Sequence, residues 1–306
     1  MAADSPVIAL ENLTKHYGRI VAVRAVTLDV SVGEIFGFLG LNGAGKTTTI
    51  RILLDLLRPT AGRASVLGHD CQRDGLAARA AIGYLPGEIS FYQDLTGRQV
   101  LDLLGRLGDT APARDYLRRL LDRFELTAAD LDRRVREYST GMKRKLGIVQ
   151  AFQADPALLI LDEPTEGLDP LMQEAFYALL ADVRRRGRTV FMSSHVLSEV
   201  ERVCDRIAVL RKGELTLVAP VEQVRHLAPR RVLVRFAEDV PPLGASTLAG
   251  GVSLVSAAPR CWSFSVRGPL GPLLAQVATM PIADLTVDEP RLEDVVIDYY
   301  REPSRS

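Results

Sequence analysis

The period of the apolar positions changes along the chain, and each change marks a different kind of element. Val7–Leu10, Ile20–Val23 and Val26–Leu28 read as short strands, with a turn at Tyr17-Gly18-Arg19 between the first two. Ile35-Phe-Gly-Phe-Leu39 is an unbroken apolar run that ends at a glycine-rich segment. Ile50, Leu53, Leu54 and Leu57 then recur at helical spacing, which predicts a helix opening near Thr47 and closed by Pro59 and Gly62. Two further helical stripes follow: Val100, Leu103, Leu104 and Leu107, then Leu117, Leu120, Leu121 and Phe124. Ala157–Leu161, Thr189–Met192 and Ile207–Leu210 do not alternate, the pattern of parallel strands buried on both faces. Helical stretches at about 170–186 and 196–204 separate them.

Strands alternating with helices predict an α/β core with a mainly parallel sheet. An N-terminal antiparallel β portion precedes it, and a helical subdomain over about 90–150 is inserted. The expected first domain covers 1–220. Beyond it, Pro229, Pro241-Pro242 and Gly250-Gly251 mark loops. Val232–Phe236 and Trp262–Val266 alternate as half-buried strands, while Leu273–Val277 and Leu292–Tyr300 look helical. Residues 221–306 are expected to form a small α+β accessory domain without a catalytic cluster.

Composition narrows the classes. Lys+Arg and Asp+Glu are equal at 38 each, which argues against a protein that coats nucleic acid. No apolar run approaches the ~18–20 residues that cross a bilayer, and Met1–Pro6 has no secretory pattern. Cys71, Cys204 and Cys261 are widely spaced and suit free thiols in a reducing cytosol. The expected location is therefore cytoplasmic, with any membrane link supplied by a partner.

The candidate chemistry begins at Gly40-Leu-Asn42-Gly43-Ala44-Gly45-Lys46-Thr47, followed by Thr48. A glycine loop between strand and helix directs backbone N–H groups at one spot, and the helix N-terminus adds partial positive charge. Lys46 suits the β- and γ-phosphates of a nucleotide and Thr47 suits Mg²⁺, the pattern of a P-loop NTPase. Asp162-Glu163 ends the buried strand where ligands of parallel sheets bind. Asp162 is placed to hold the metal and Glu163 to act as general base. Ser194-His195 follows the next strand, and Tyr138-Ser139-Thr140-Gly141-Met142 opens a helix, a possible anion site or an ordinary cap.

Taken together, this set resembles the ATP-binding subunits of ABC transporters, across residues 7–213. Gly40–Thr47 looks like the Walker A loop of that family, Leu158–Glu163 its Walker B strand, Ser139 and Gly141 its signature loop, Asp169 its D-loop, His195 its switch histidine and Tyr17 the aromatic that stacks on adenine. The resemblance implies ATP and Mg²⁺ as cofactors, with Glu163 and His195 catalytic. It implies two partners: an integral membrane permease subunit, and a second ATP-binding subunit expected to be an identical copy. Ser139 and Gly141 would then face the γ-phosphate held by the other copy. A stretch from Glu289 to Val295 resembles the tails of exporter-type, drug-efflux ATPases, so the expected function is ATP-driven export of a small molecule, lipid or drug-like substrate, from the inner face of the membrane. The alternatives are a soluble ABC-type ATPase of translation or repair, and a weakly hydrolysing regulator.

Three positions depart from the family pattern. Gly87 stands where a glutamine normally follows a stretch such as Ile82–Pro86, and Thr140 and Met142 replace a glycine and a glutamine. Glu88 or a backbone carbonyl is expected to take over from the missing glutamine.

Overall fold

The computed structural model describes residues 5–106, 113–227, 229–241, 250–288, 292 and 295. It divides into two compact units, Met1–Ala219 and Pro220–Ser306.

The first unit opens with two long strands, β1 (Ile8–Tyr17) and β2 (Ile20–Val30), paired antiparallel around the Gly18 turn. The three short strands expected here are two, because register shifts at Asn12 and Ala25, both at positive φ, let the strands bend and continue. β3 (Ile35–Leu39) leads into α1 (Lys46–Leu53). That helix stops at Leu53, a full turn before Pro59: Leu54 leaves the helical region and Asp55 takes a positive φ. β4 (Ala61–Val66) and β5 (His69–Asp70), not signalled by apolar periodicity, complete an antiparallel sheet of order β2-β1-β4-β5. α2 (Gly75–Ala80) and β6 (Ile82–Leu85) follow.

The helical insertion comprises α3 (Gly97–Gly105), α4 (Arg114–Arg123), α5 (Ala128–Asp132), a 3₁₀ turn at Val135–Glu137, and α6 (Thr140–Phe152). Thr96 and Thr127 close capping boxes with Gln99 and Asp130. In α3 the buried face is Val100 and Leu101, not the expected stripe through Leu103, which is exposed; Leu107 lies outside the described residues.

β7 (Leu158–Asp162), α7 (Pro170–Arg185), β8 (Thr189–Ser194), α8 (Leu197–Val203), β9 (Arg206–Arg211) and β10 (Glu214–Pro220) complete the unit. The central sheet has the order β10-β9-β3-β8-β7-β6, and the pairs β9/β3, β3/β8, β8/β7 and β7/β6 are all parallel. Every residue of β3, β7 and β8 is buried, which explains their unbroken apolar or small sequences. Phe36 and Phe191, opposite each other in the β3/β8 register, stack with centroids 5.9 Å apart. The parallel strands carry the chemistry-bearing residues at their C-terminal ends.

The second unit holds α9 (Val221–Leu227), β11 (Arg230–Phe236), β12 (Val252–Ala258), β13 (Cys261–Val266), α10 (Gly271–Val277) and β14 (Ile282–Asp288). Its antiparallel sheet, β12-β13-β11-β14, packs Val232, Val234, Phe236, Trp262, Phe264 and Val266 against Leu273 and Val277 of α10. Of the stretch from Glu289 to Tyr300, only Leu292 and Val295 are described; both are helical and buried.

Candidate nucleotide-binding site

The glycine loop joins β3 to α1 as expected. Gly43 and Gly45 adopt positive φ, 79° and 110°, and a Cβ on Gly45 would come 2.4 Å from the Ala22 carbonyl oxygen. A Cβ on Gly40 would lie 2.7 Å from the Leu210 carbonyl oxygen. The loop is thus wedged between β2 and the end of β9, and only glycine fits at those two points. The Gly213 N–H also donates to the Ala44 carbonyl at 2.9 Å. Gly45 caps α1 without any side-chain acceptor, so the first-turn N–H groups stay available for an anion.

Lys46 is buried, and its ammonium donates to the Gly40 carbonyl and pairs with Glu163 at 3.1 Å. A buried cation requires such partners. Thr47 Oγ1 donates to Asp162 Oδ2 at 3.1 Å, so the two expected metal-holding groups share one point. That small oxygen set suits Mg²⁺, which takes one or two protein groups and completes its shell with water and phosphate oxygens. Asn42, Gly43 and Thr47 are exposed at the loop's mouth, with Thr48 half-buried behind them.

Glu163 has φ 48°, a left-handed conformation that costs a non-glycine residue on the order of 1–3 kcal/mol. It turns the carboxylate back over the loop, between Lys46 and His195, whose Nδ1 lies 2.7 Å from Glu163 Oε2. The structure therefore brings His195 onto the expected base, although it lies 32 positions downstream.

Sequence reasoning missed the residues that hold this pair. Ser193 Oγ donates to Asp162 Oδ1 and accepts from the Glu163 N–H at 3.1 Å. Asp162 and Ser193 are register partners on adjacent parallel strands, a relation visible only once β7 and β8 are aligned. Glu199, buried in α8, accepts from Thr165 and Ser194 and so ties the turn after Glu163 to the His195 loop. Burial, with the charge of Glu199 nearby, pushes the Tyr177 hydroxyl up to about 12.

Tyr17 lies at the tip of the β1–β2 hairpin, half-exposed, with Lys15 5.4 Å above its ring. Ser139 and Asp169 are both helix caps, accepting from the backbone N–H groups of Met142 and Met172. Gly141 lies beside the Gly167 carbonyl. Among the described residues, no hydrogen bond or ion pair joins Ser139, Gly141 or Asp169 to Gly40–Thr48. The site thus gathers Gly40–Thr48, Asp162, Glu163 and His195, and leaves Ser139, Gly141 and Asp169 elsewhere in the unit.

At Gly87 a Cβ would stand 3.5 Å from Asp162 Oδ2, so the backbone passes the Asp162 carboxylate without a side chain. Of the backbone carbonyls expected to take over there, those of Pro86 and Gly87 both accept from Arg144. Glu88 is exposed.

A parallel sheet with a glycine loop at the end of β3 and an acidic pair at the end of β7 defines a P-loop nucleotide-binding unit. The ABC transporter domain model matches residues 23–166. The chain is 38% identical over 221 residues to the daunorubicin resistance ATP-binding protein DrrA3 of Streptomyces coeruleorubidus, a match covering 71% of this chain and 69% of that protein. It is 38% identical over 207 residues to the Nod factor export ATP-binding protein I of Burkholderia lata, covering 67% and 68%. An ABC transporter ATP-binding protein of Nostoc is also 38% identical, over 67% of this chain and 62% of that one. Among solved structures, an ATP-binding subunit of an ABC transporter superposes with a TM-score of 0.67 at 30% identity, over 72% of this chain and 92% of the other. A dimeric bacterial ABC transporter cassette does so with a TM-score of 0.64 at 25% identity, over 70% and 98%. The chain belongs to the ATP-binding proteins of ABC transporters.

Proposed function

We propose that the chain binds and hydrolyses Mg-ATP as one half of a pair, and that this work drives export through a separate membrane permease. The observation that carries the reading is the meeting of Lys46, Asp162, Glu163 and His195 around one glycine loop. In this assignment Gly40–Thr48 cradle the phosphates, with Lys46 on the β- and γ-phosphates. Tyr17 stacks on adenine. Thr47 and Asp162 would hold Mg²⁺, which would supply positive charge beside the phosphate oxygens. Glu163 accepts a proton from the attacking water, and His195 orients Glu163. Ser139, Gly141 and Asp169 contribute to the nucleotide of the second copy. That none of them is hydrogen-bonded or ion-paired to the glycine loop of its own chain among the described residues supports that arrangement, as does the dimeric state of the bacterial cassette noted above.

Export is supported by the names of the relatives, daunorubicin resistance and Nod factor export. Among the described residues no helix is long and apolar enough to cross a membrane. In this reading the permease is a separate polypeptide and the chain works on its cytoplasmic face. A groove of about 970 Å³ runs between β6 and the helical insertion, with Ile89, Tyr92, Leu103 and Leu104 among its apolar lining and Arg119 and Arg186 on its wall. It overlaps residues 84–107, and in this reading a cytoplasmic helix of the permease docks there; Arg186 on the wall is already paired with Asp155. Tyr92 is exposed there, and Phe91 is half-buried.

The test is sedimentation of Glu163→Gln protein in excess Mg-ATP beside the ATPase rate of the wild type. The reading expects an ATP-dependent pair from the variant and turnover from the wild type. Strictly single particles, with permease supplied, overturn the paired arrangement. A wild-type rate no higher than that of Glu163→Gln selects the regulator that hydrolyses weakly, a reading favoured by the bare backbone of Gly87.

A further inference from the structure

Arg144 lies in the second turn of α6 and is 5% exposed, an unusual position for a guanidinium. Its donors reach three backbone carbonyls in two separate loops. Nε donates to Glu166 at 2.8 Å, Nη1 to Pro86 at 3.0 Å and Nη2 to Gly87 at 2.8 Å. Pro86–Gly87 follows β6 and passes the Asp162 carboxylate; Glu166 lies three residues after Glu163. The helix that carries Arg144 is capped by Ser139, and its first turn packs beside the Gly167 carbonyl. Burial works against the charged guanidinium and lowers its pKa, while the carboxylates of Glu166, Asp162 and Glu163 oppose that fall.

A cation this deep gains little net stability, because desolvation of the guanidinium offsets much of what its hydrogen bonds contribute. What an apolar residue cannot do is hold three carbonyls at fixed angles. A planar fork can, and an ammonium cannot. We propose that Arg144 is a positioning residue for hydrolysis. It fastens the helix behind Ser139 to the Pro86–Gly87 loop and to the turn after Glu163, so the three move as one body. It thereby does mechanically what a side chain at position 87 does not do here. When Ser139 reaches the nucleotide of the second copy, the displacement of α6 is delivered to the Asp162–Glu163 pair of its own chain. The proposal rests on the paired reading above.

The full-length Arg144→Gln and Arg144→Lys variants test it, with fluorescent ATP binding, steady-state ATPase kinetics and thermal unfolding measured on each. Among the described residues Arg144 makes no hydrogen bond or ion pair with Gly40–Thr48, so ATP affinity is expected to stay within about twofold. The expected kcat loss is on the order of 10- to 100-fold, the scale of a small displacement of reacting groups. KM should change little. Lys is expected to restore the melting temperature toward wild type but not kcat, because it keeps the charge and loses the fork. In an E163Q background, Arg144→Lys should still pair with Mg-ATP. A kcat within threefold of wild type in both variants overturns the proposal. So does a parallel fall of kcat, ATP affinity and melting temperature, or loss of the fold in both, which marks Arg144 as packing alone. If wild-type protein itself fails to hydrolyse ATP, the underlying reading fails instead, and the control shows it.

Discussion

Replacing Ser193 by alanine removes one oxygen and two hydrogen bonds from beneath the site. Ser193 is fully buried, donates to Asp162 Oδ1 and accepts from the Glu163 N–H. The Glu163 N–H keeps a fallback, since it also donates to the Ser193 backbone carbonyl at 3.2 Å. Asp162 has no equal substitute: it is 3% exposed, and Thr47 at 3.1 Å faces its other oxygen. The loss is therefore one hydrogen bond to a buried charge, worth about 1.5–3 kcal/mol. For a unit of this size each kcal/mol shifts the midpoint by roughly 2–4 °C, so unfolding should begin about 3–12 °C lower. The functional effect should fall on the metal. Outer-shell partners of metal-holding groups typically contribute 10- to 100-fold in affinity, so half-saturating Mg²⁺ for ATP hydrolysis should rise about 10- to 100-fold. At saturating Mg²⁺ most of kcat should return, since Lys46, Glu163 and His195 are untouched. A titration of Mg²⁺ at fixed ATP reads this directly. If half-saturation stays within twofold of wild type, Ser193 does not orient Asp162 and the reasoning is refuted.

Gly45→Ala must place a Cβ 2.4 Å from the Ala22 carbonyl at φ 110°, so ATP affinity should fall on the order of 10- to 100-fold by equilibrium binding. Burial pushes the Cys71 thiol up to about 12, leaving roughly one thiolate in ten thousand at pH 8, and Cys204 is pushed well up by the same cause. Native protein should therefore take up one iodoacetamide per chain, at half-buried Cys261, and three only after unfolding, by mass spectrometry. Trp262 is fully buried and, among the described residues, its Nε1–H has no hydrogen-bond partner. Trp262→Phe removes that orphan and opens a smaller space than alanine does. It should cost well under the roughly 3–5 kcal/mol expected for Trp262→Ala, measured by denaturant unfolding.

The parallel core was legible because full burial leaves a chemical trace: Leu158–Asp162 and Thr189–Ser194 have no polar face to alternate. The glycine loop was legible for a related reason, since its backbone geometry admits only glycine where β2 and β9 press on it. β4 and β5 escaped notice because Gly62, Arg63 and His69 carry little apolar signal, and these strands are defined by pairing with β1 and with each other. The end of α1 was misplaced because apolar residues continue past it: Leu54 packs in the core and Leu57 packs against it after the helix has stopped. Around the site, Glu163 and His195 were readable as residue types at strand ends. Ser193, Glu199 and Arg144 were not, because a serine, a glutamate and an arginine gain meaning here only from the carbonyls and carboxylates that folding brings beside them.

Asp162 and Ser193 sit side by side on neighbouring parallel strands, and the residues just past them, Glu163 and His195, close on each other. Strand alignment is therefore the ruler by which these groups are spaced, and the crossover helices are merely the string between marks. Lengthening α7 at its solvent end leaves every mark where it was. Adding a single residue within β8 turns Ser193 to the opposite face and carries His195 about 3.3 Å past Glu163. Natural and engineered variation should accordingly gather in the helices and spare the interior of three short strands.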